Sequence, residues 1–178
     1  MTYRKLKASG ALCAVLCLAQ PQIAMAQDCV EQADVVDATI YSMPILYDAY
    51  TSKCAGEFSA TGFIASRGQS FIEPYTAQQD DRWAGAARLL GQFASSGSGN
   101  GSNADIFSAL PEEAMRPFVD GIIALKVGEE IKLKDCGKIE RTVELLSPLP
   151  PENVGGFLAL LVDFAGVKDP EICPYEAK

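Results

Sequence analysis

The 178-residue chain contains no histidine. That absence removes the Ser-His-Asp and Cys-His nucleophilic arrangements, the paired-histidine metal sites and any histidine pH switch. Ser-x-x-Lys, the serine–lysine hydrolase pattern, is also missing, as is an Asp-x-Asp-x-Asp-Gly calcium loop. Basic residues are few, 15 against 23 acids. Such a surface repels phosphate backbones and anionic lipid, so nucleic acid is not an expected partner. No catalytic residue, cofactor or metal site is expected from motifs. Carboxylates are the only catalytic option left. The pairs Asp80-Asp81, Glu112-Glu113 and Glu129-Glu130 are sequence neighbours, which point about 100° apart on a helix and so do not by themselves form a shared site.

The N-terminus is informative. Arg4, Lys5 and Lys7 precede an apolar run from Ala8 to Ala19, and Ala24-Met25-Ala26 follows. The run is shorter than the ~20 residues a membrane span requires. Its flanks are those of a secretory signal, with cleavage expected after Ala26. The residues before Cys13, Cys17 and Cys29 are not small, which argues against lipidation. Residues 1–26 are therefore read as a cleaved signal peptide, 27–178 as one domain, and the location as periplasmic or secreted. All 23 acids and 12 of the 15 bases fall in 27–178, leaving a net charge of −11.

Cys29, Cys54, Cys136 and Cys173 remain in the mature chain. An even number in an exported protein implies two disulfides. No two are close enough in sequence for a redox Cys-x-x-Cys, and zinc would lack histidine to complete its shell. The pairing depends on the first helix. Apolar spacing through Val30, Ala33, Val36, Ile40, Met43, Tyr47 and Tyr50 predicts a helix over 31–52, kinked at Pro44. If it is continuous, its ~36 Å length keeps Cys29 from Cys54, whose Cα atoms would need to lie within about 7 Å. Two bridges between the first and second halves are then expected. A sharp break at Pro44 would instead allow Cys29–Cys54 with Cys136–Cys173.

Further helices are expected over 57–72, from a Thr76-Ala77-Gln78-Gln79 capping box through Trp83 to Phe93, and from Ile139 to Leu146. Glu129 to Cys136 reads as an extended segment. Ser95 to Asn103 has the composition of a flexible Gly/Ser loop and lacks the strand and Gly-Lys-Ser/Thr of a phosphate loop. The segment from Ser108 to Phe118 aligns without gaps on Ser147 to Phe157, 39 residues later, with Ser, Leu, Pro, Glu and Phe coinciding. Either a weak internal repeat or shared helix-start chemistry accounts for it. The second copy leads into Phe-Leu-Ala-Leu-Leu-Val, apolar on nearly every side. That pattern predicts a central, buried helix, with Val154, Phe157, Leu158, Leu161 and Phe164 as core or as the wall of an apolar pocket.

The fold class expected is all-α: a compact disulfide-linked bundle of about five to seven helices. The functional expectation is a non-catalytic exported protein of inhibitor, immunity or envelope-accessory type. It would bind another protein, a cationic one being allowed by the charge, through an acidic face containing Tyr41, Tyr47, Asp48 and Tyr50. A carrier of a lipid or small apolar ligand is the alternative, and a carboxylate-dependent envelope hydrolase the third reading. No membrane span is expected in the mature chain. Partner and oligomeric state are left open.

Overall fold

A computed structural model describes residues 29–95, 111–168 and 170–174. Among these the fold is all-α with six helices: α1 Gln32–Lys53, α2 Phe63–Gln78, α3 Trp83–Ser95, α4 Glu112–Glu130, α5 Cys136–Leu146 and α6 Pro151–Phe164. Short 3₁₀ turns, Asp80–Arg82 and Leu133–Asp135, lead into α3 and α5. Two short parallel strands, β1 Cys29–Val30 and β2 Glu171–Ile172, join the two ends of the domain. The expected signal segment and the expected Gly/Ser loop beyond Ser95 lie outside the described residues.

The central element is α1, and α2, α3, α4 and α6 all pack on it. Helix α2 covers Ile40 with Phe71, Ile72 and Tyr75. Helix α3 runs antiparallel, placing Trp83 against Tyr41 and Arg88 against Asp34. Helix α4 runs parallel along the C-terminal half of α1, from Asp120 beside Tyr41 to Gly128 near Lys53. Helix α6 runs antiparallel along the N-terminal half, with Gly155 on Val36 and Ala159 beside Val30 and Val35. Helix α5 sits outside α2. Its Glu140 accepts a hydrogen bond from the Ile64 N–H at 2.9 Å, so a carboxylate from a distant element caps the N-terminus of α2.

The disulfides are Cys29–Cys173 and Cys54–Cys136, each joining the first half to the second. Helix α1 is continuous through Pro44, so its 22 residues, about 33 Å long, hold Cys29 and Cys54 apart. Each end of α1 is thus tied to the chain that follows one of the two similar helices, α4 or α6. Those helices begin alike: Pro111 and Pro150 are their N-caps, with ψ of 150° in both. The segments after them differ, one a 3₁₀ turn leading to α5 and the other a loop leading to β2.

Several boundaries depart from the sequence expectations. Helix α2 passes through Pro74 to Gln78, and Thr76 Oγ1 donates back to the Ile72 carbonyl instead of capping a new helix. Residues 57–62 are turns and irregular chain, so α2 starts at Phe63. The alternation of Glu129–Cys136 is not a strand, because α4 runs to Glu130 and a 3₁₀ turn follows. Val30 is in β1, ahead of α1.

The larger correction concerns α6. It is not the central helix. Pro151, Val154, Gly155 and Ala159 are buried, Gly155 against Val36 and Ala159 beside Val35 of α1, while Phe157, Leu158, Leu160, Leu161 and Phe164 are exposed. The small residues mark the packed face, because close approach to α1 excludes large side chains there. A Cβ added at Gly155 would lie 3.0 Å from the Val36 Cα, whereas one at Gly156 would meet nothing within 4 Å. Gly155→Ala is therefore expected to destabilise the fold by about 1–3 kcal/mol through overpacking against backbone. Gly156→Ala should stabilise it by up to about 1 kcal/mol through helix propensity. Chemical denaturation of the two variants checks the pair. Equal shifts would mean that α6 does not approach α1 by this face.

Candidate functional site

The four residues expected to share an acidic tyrosine face do not share one. Tyr41 and Tyr50 are buried. Tyr47 is half-buried, turned towards α2 against Phe71 and the close-approach position Gly68. Asp48 alone is exposed. The spacing of the tyrosines matched the helix period but carried no information about how many sides of α1 would be covered. With helices on four sides, aromatic positions became core.

Burial accounts for the hydroxyls' chemistry. Tyr50 donates to the Cys136 carbonyl at 3.0 Å. Its pKa is pushed up to about 12 by burial and then by the Glu140 charge. Burial and then Glu152 push Tyr75 to about 12 as well. Burial, followed by the hydrogen bond to Asp120, raises Tyr41 further. None is suited to act as a base or nucleophile near neutrality.

Tyr41 anchors a polar network at the junction of α1, α4 and the Asp80–Arg82 turn. Its hydroxyl donates to Asp120 Oδ1 at 2.5 Å and accepts from Arg116 Nε at 3.2 Å. Arg116 also lies 5.3 Å from the Tyr41 ring centroid and donates through Nη2 to Asp80 Oδ1. Gln79 Nε2 donates to the Tyr41 carbonyl at 3.0 Å. Arg116 and Asp120 are one turn apart on α4, so a single helix face supplies both signs. The network carries two carboxylates and one guanidinium, a net negative charge.

Beyond this network α1 and α4 enclose an open groove of about 790 Å³. Its floor is small: Ala49 and Ser52 from α1, and Gly121, Ala124 and Gly128 from α4. Nothing lies within 4 Å of where a Cβ would stand at Gly121 or Gly128. Asp120 closes one end, Asp48 stands on the α1 wall and Lys53 lies at the far end. The Asp48 carboxylate makes no ion pair among the described residues, whereas Asp80 is held by Arg116 and Glu129 by Lys126. Gly121, Ala124 and Gly128, at spacings of three and four, were the signal for this groove in the sequence. They pass unnoticed beside the larger apolar residues.

A second hollow of about 300 Å³ lies between α1, α3 and α4, lined by Ala38, Leu46, Leu89 and Ile123 among others. The residues expected to wall an apolar pocket do not face it. Val154 is buried against α1, and Phe157, Leu158, Leu161 and Phe164 point to solvent. Among the described residues no cluster of three potential metal ligands occurs.

Two outcomes are expected from these contacts. Tyr41→Phe removes the donor to Asp120 and the acceptor of Arg116, and should cost about 1–3 kcal/mol in denaturant unfolding. No loss would mean that the network is not formed. The pH dependence follows from the raised tyrosines. In the unfolded chain they ionise near 10.0, and in the folded protein only near 12, so the unfolded state releases protons first. Stability is fully present below pH 10 and is lost as pH rises towards about 12. Tyrosinate absorbance recorded with the unfolding midpoint checks this, and Tyr50→Phe should make the decline shallower.

No protein family, curated protein or solved structure matches this chain.

Proposed function

We propose that the chain is an exported, non-catalytic helical protein that binds another protein, and that the α1/α4 groove receives a partner helix bearing a cationic side chain. The observation that carries this is an open groove with a small-residue floor and two carboxylates, Asp48 and Asp120, on its border. Glycine and alanine at helical spacing let a second helix approach closely. A lysine or arginine on that helix would meet Asp48, which makes no ion pair among the described residues, and the net −11 of the mature chain would steer such a partner towards it. The two disulfides fit an oxidising compartment, and the sequence of residues 1–26 supports export to the periplasm or medium. The rigid clamp on α1 keeps the groove walls preorganised, which reduces the entropy lost on binding.

A second reading draws on the same pair of acids. Asp48 and Asp120 come from distant parts of the chain and border one groove, as a carboxylate-dependent hydrolase requires. The binding reading is preferred because Asp120 is committed to the Tyr41 hydroxyl and Asp48 stands in solvent. Neither has the apolar enclosure of a general acid.

The test is a photo-crosslinking residue at Ser52 on the groove floor, with the protein made in its own cells. One discrete protein adduct is expected. Gly121→Leu, which fills the groove, should abolish it, and Asp48→Lys should reduce it about tenfold or more. Absence of an adduct, or one indifferent to both substitutions, overturns the proposal. Turnover of nitrophenyl glycosides that is lost in Asp48→Asn would establish the hydrolase reading instead.

A further inference from the structure

From Phe157 to Phe164 the outward face of α6 carries a row of large apolar residues. Phe157 is 51% exposed, Leu158 38%, Leu160 41%, Leu161 44% and Phe164 79%. Among the described residues none belongs to a buried cluster, and neither phenylalanine has an aromatic neighbour. The only charged residues of the helix are Glu152, bound to Arg82, and Asp163. A helix that lies on a lipid surface carries Lys and Arg along its polar border. Helix α6 has neither, and the chain around it is strongly acidic, so the composition does not suit a membrane.

The order of residues points to the occupant. Read outward from the midpoint between Leu160 and Leu161, the exposed positions nearly repeat each other: Leu160 with Leu161, Phe157 with Phe164 and Gly156 with Ala165. In a two-fold symmetric, antiparallel helix pair, residues equidistant from the axis meet, and each contact occurs twice. We propose that this face binds a second copy of the chain. The dyad would pass between Leu160 and Leu161, with Phe157 of each copy against Phe164 of the other. Gly156 and Ala165 flank the aromatic pairs and leave room for the rings, while Asp163 falls opposite Leu158 at the edge. At roughly 200 Å² for a large apolar side chain, the exposures of Phe157, Leu160, Leu161 and Phe164 amount to about 430 Å² per copy. The pair then buries about 860 Å², the size of a weak, concentration-dependent contact. Such a dimer is concentration-dependent and leaves the α1/α4 groove of each copy open.

Analytical ultracentrifugation of the disulfide-bonded protein over a concentration series tests this. A reversible monomer–dimer equilibrium is expected. Phe164→Glu, at a position 79% exposed, should weaken it by at least about tenfold. Cysteine placement then tests the symmetry. Leu161→Cys alone should form an intermolecular disulfide, Phe164→Cys alone should not, and a mixture of Phe157→Cys and Phe164→Cys proteins should cross-link to each other. A protein that stays monomeric throughout overturns the proposal. So does a dimer indifferent to Phe164→Glu, which would place the interface elsewhere. Flotation of the wild type, but not of Phe164→Glu, with phosphatidylcholine vesicles would assign the face to lipid and equally overturn it.

Discussion

The stiffness of one helix sets the rest of this structure. Helix α1 is 22 residues long and unbroken by Pro44, so the cysteines at its two ends cannot reach each other. Each must find a partner from the second half of the chain: Cys29 takes Cys173 and Cys54 takes Cys136. The closed segments span separations of 144 and 82 residues, for which chain entropy alone predicts about 4–5 kcal/mol of stabilisation per bridge. The pairing also decides direction. The segment after α4 returns to the C-terminal end of α1 and the segment after α6 to its N-terminal end. The two similar helices therefore lie along opposite halves of α1, one parallel and one antiparallel.

A helix packed on four sides must satisfy its polar residues internally. Asp34, in the first turn, is almost fully buried and accepts from Arg88 through both Nε and Nη2. A carboxylate there is also favoured by the helix dipole. Asp37 accepts from Arg82 at 3.0 Å, and Arg82 reaches Glu152 at the same distance, tying α1 to the start of α6. Breaking such pairs leaves a charge desolvated without compensation, which costs more than the pair itself contributes. Close approach is managed with small residues. Gly85 lies against Asp37 and Gly155 against Val36, so α3 and α6 approach α1 closely enough to make those contacts.

The same use of small residues generates the surfaces with functional content. On α4, Gly121, Ala124 and Gly128 face α1 without filling the space between the helices, and a groove bordered by Asp48 and Asp120 results. On α6 the small residues face inward, which turns the large apolar ones outward. Two positions equivalent at the 39-residue offset are exposed in both helices, Ile122 with Leu161 and Leu125 with Phe164, whereas Val119 is buried and Leu158 exposed. Exposed apolar rows of this kind are typical of surfaces used in association.

The helical class and the exclusion of histidine chemistry were legible in the sequence, and so was the span of α1, because local periodicity and composition carry that information. The bridging of the two halves followed from α1 once its continuity was known. Periodicity could not say which helix would be central. Helix α6 has the most apolar sequence and α1 a mixed one, yet α1 is the one enclosed, because its length offers four helices a place to pack and its ends are held by disulfides. Nor could the sequence say that Tyr41 would become the hub of an Asp120–Arg116 network. Those partners lie 79 and 75 residues away and meet it only when α4 docks. The sequence by itself determined an oxidised, acidic, helical domain. Tertiary structure alone decided which apolar faces were buried and which two surfaces were left open, since burial depends on the neighbours a helix acquires as well as on its own residues.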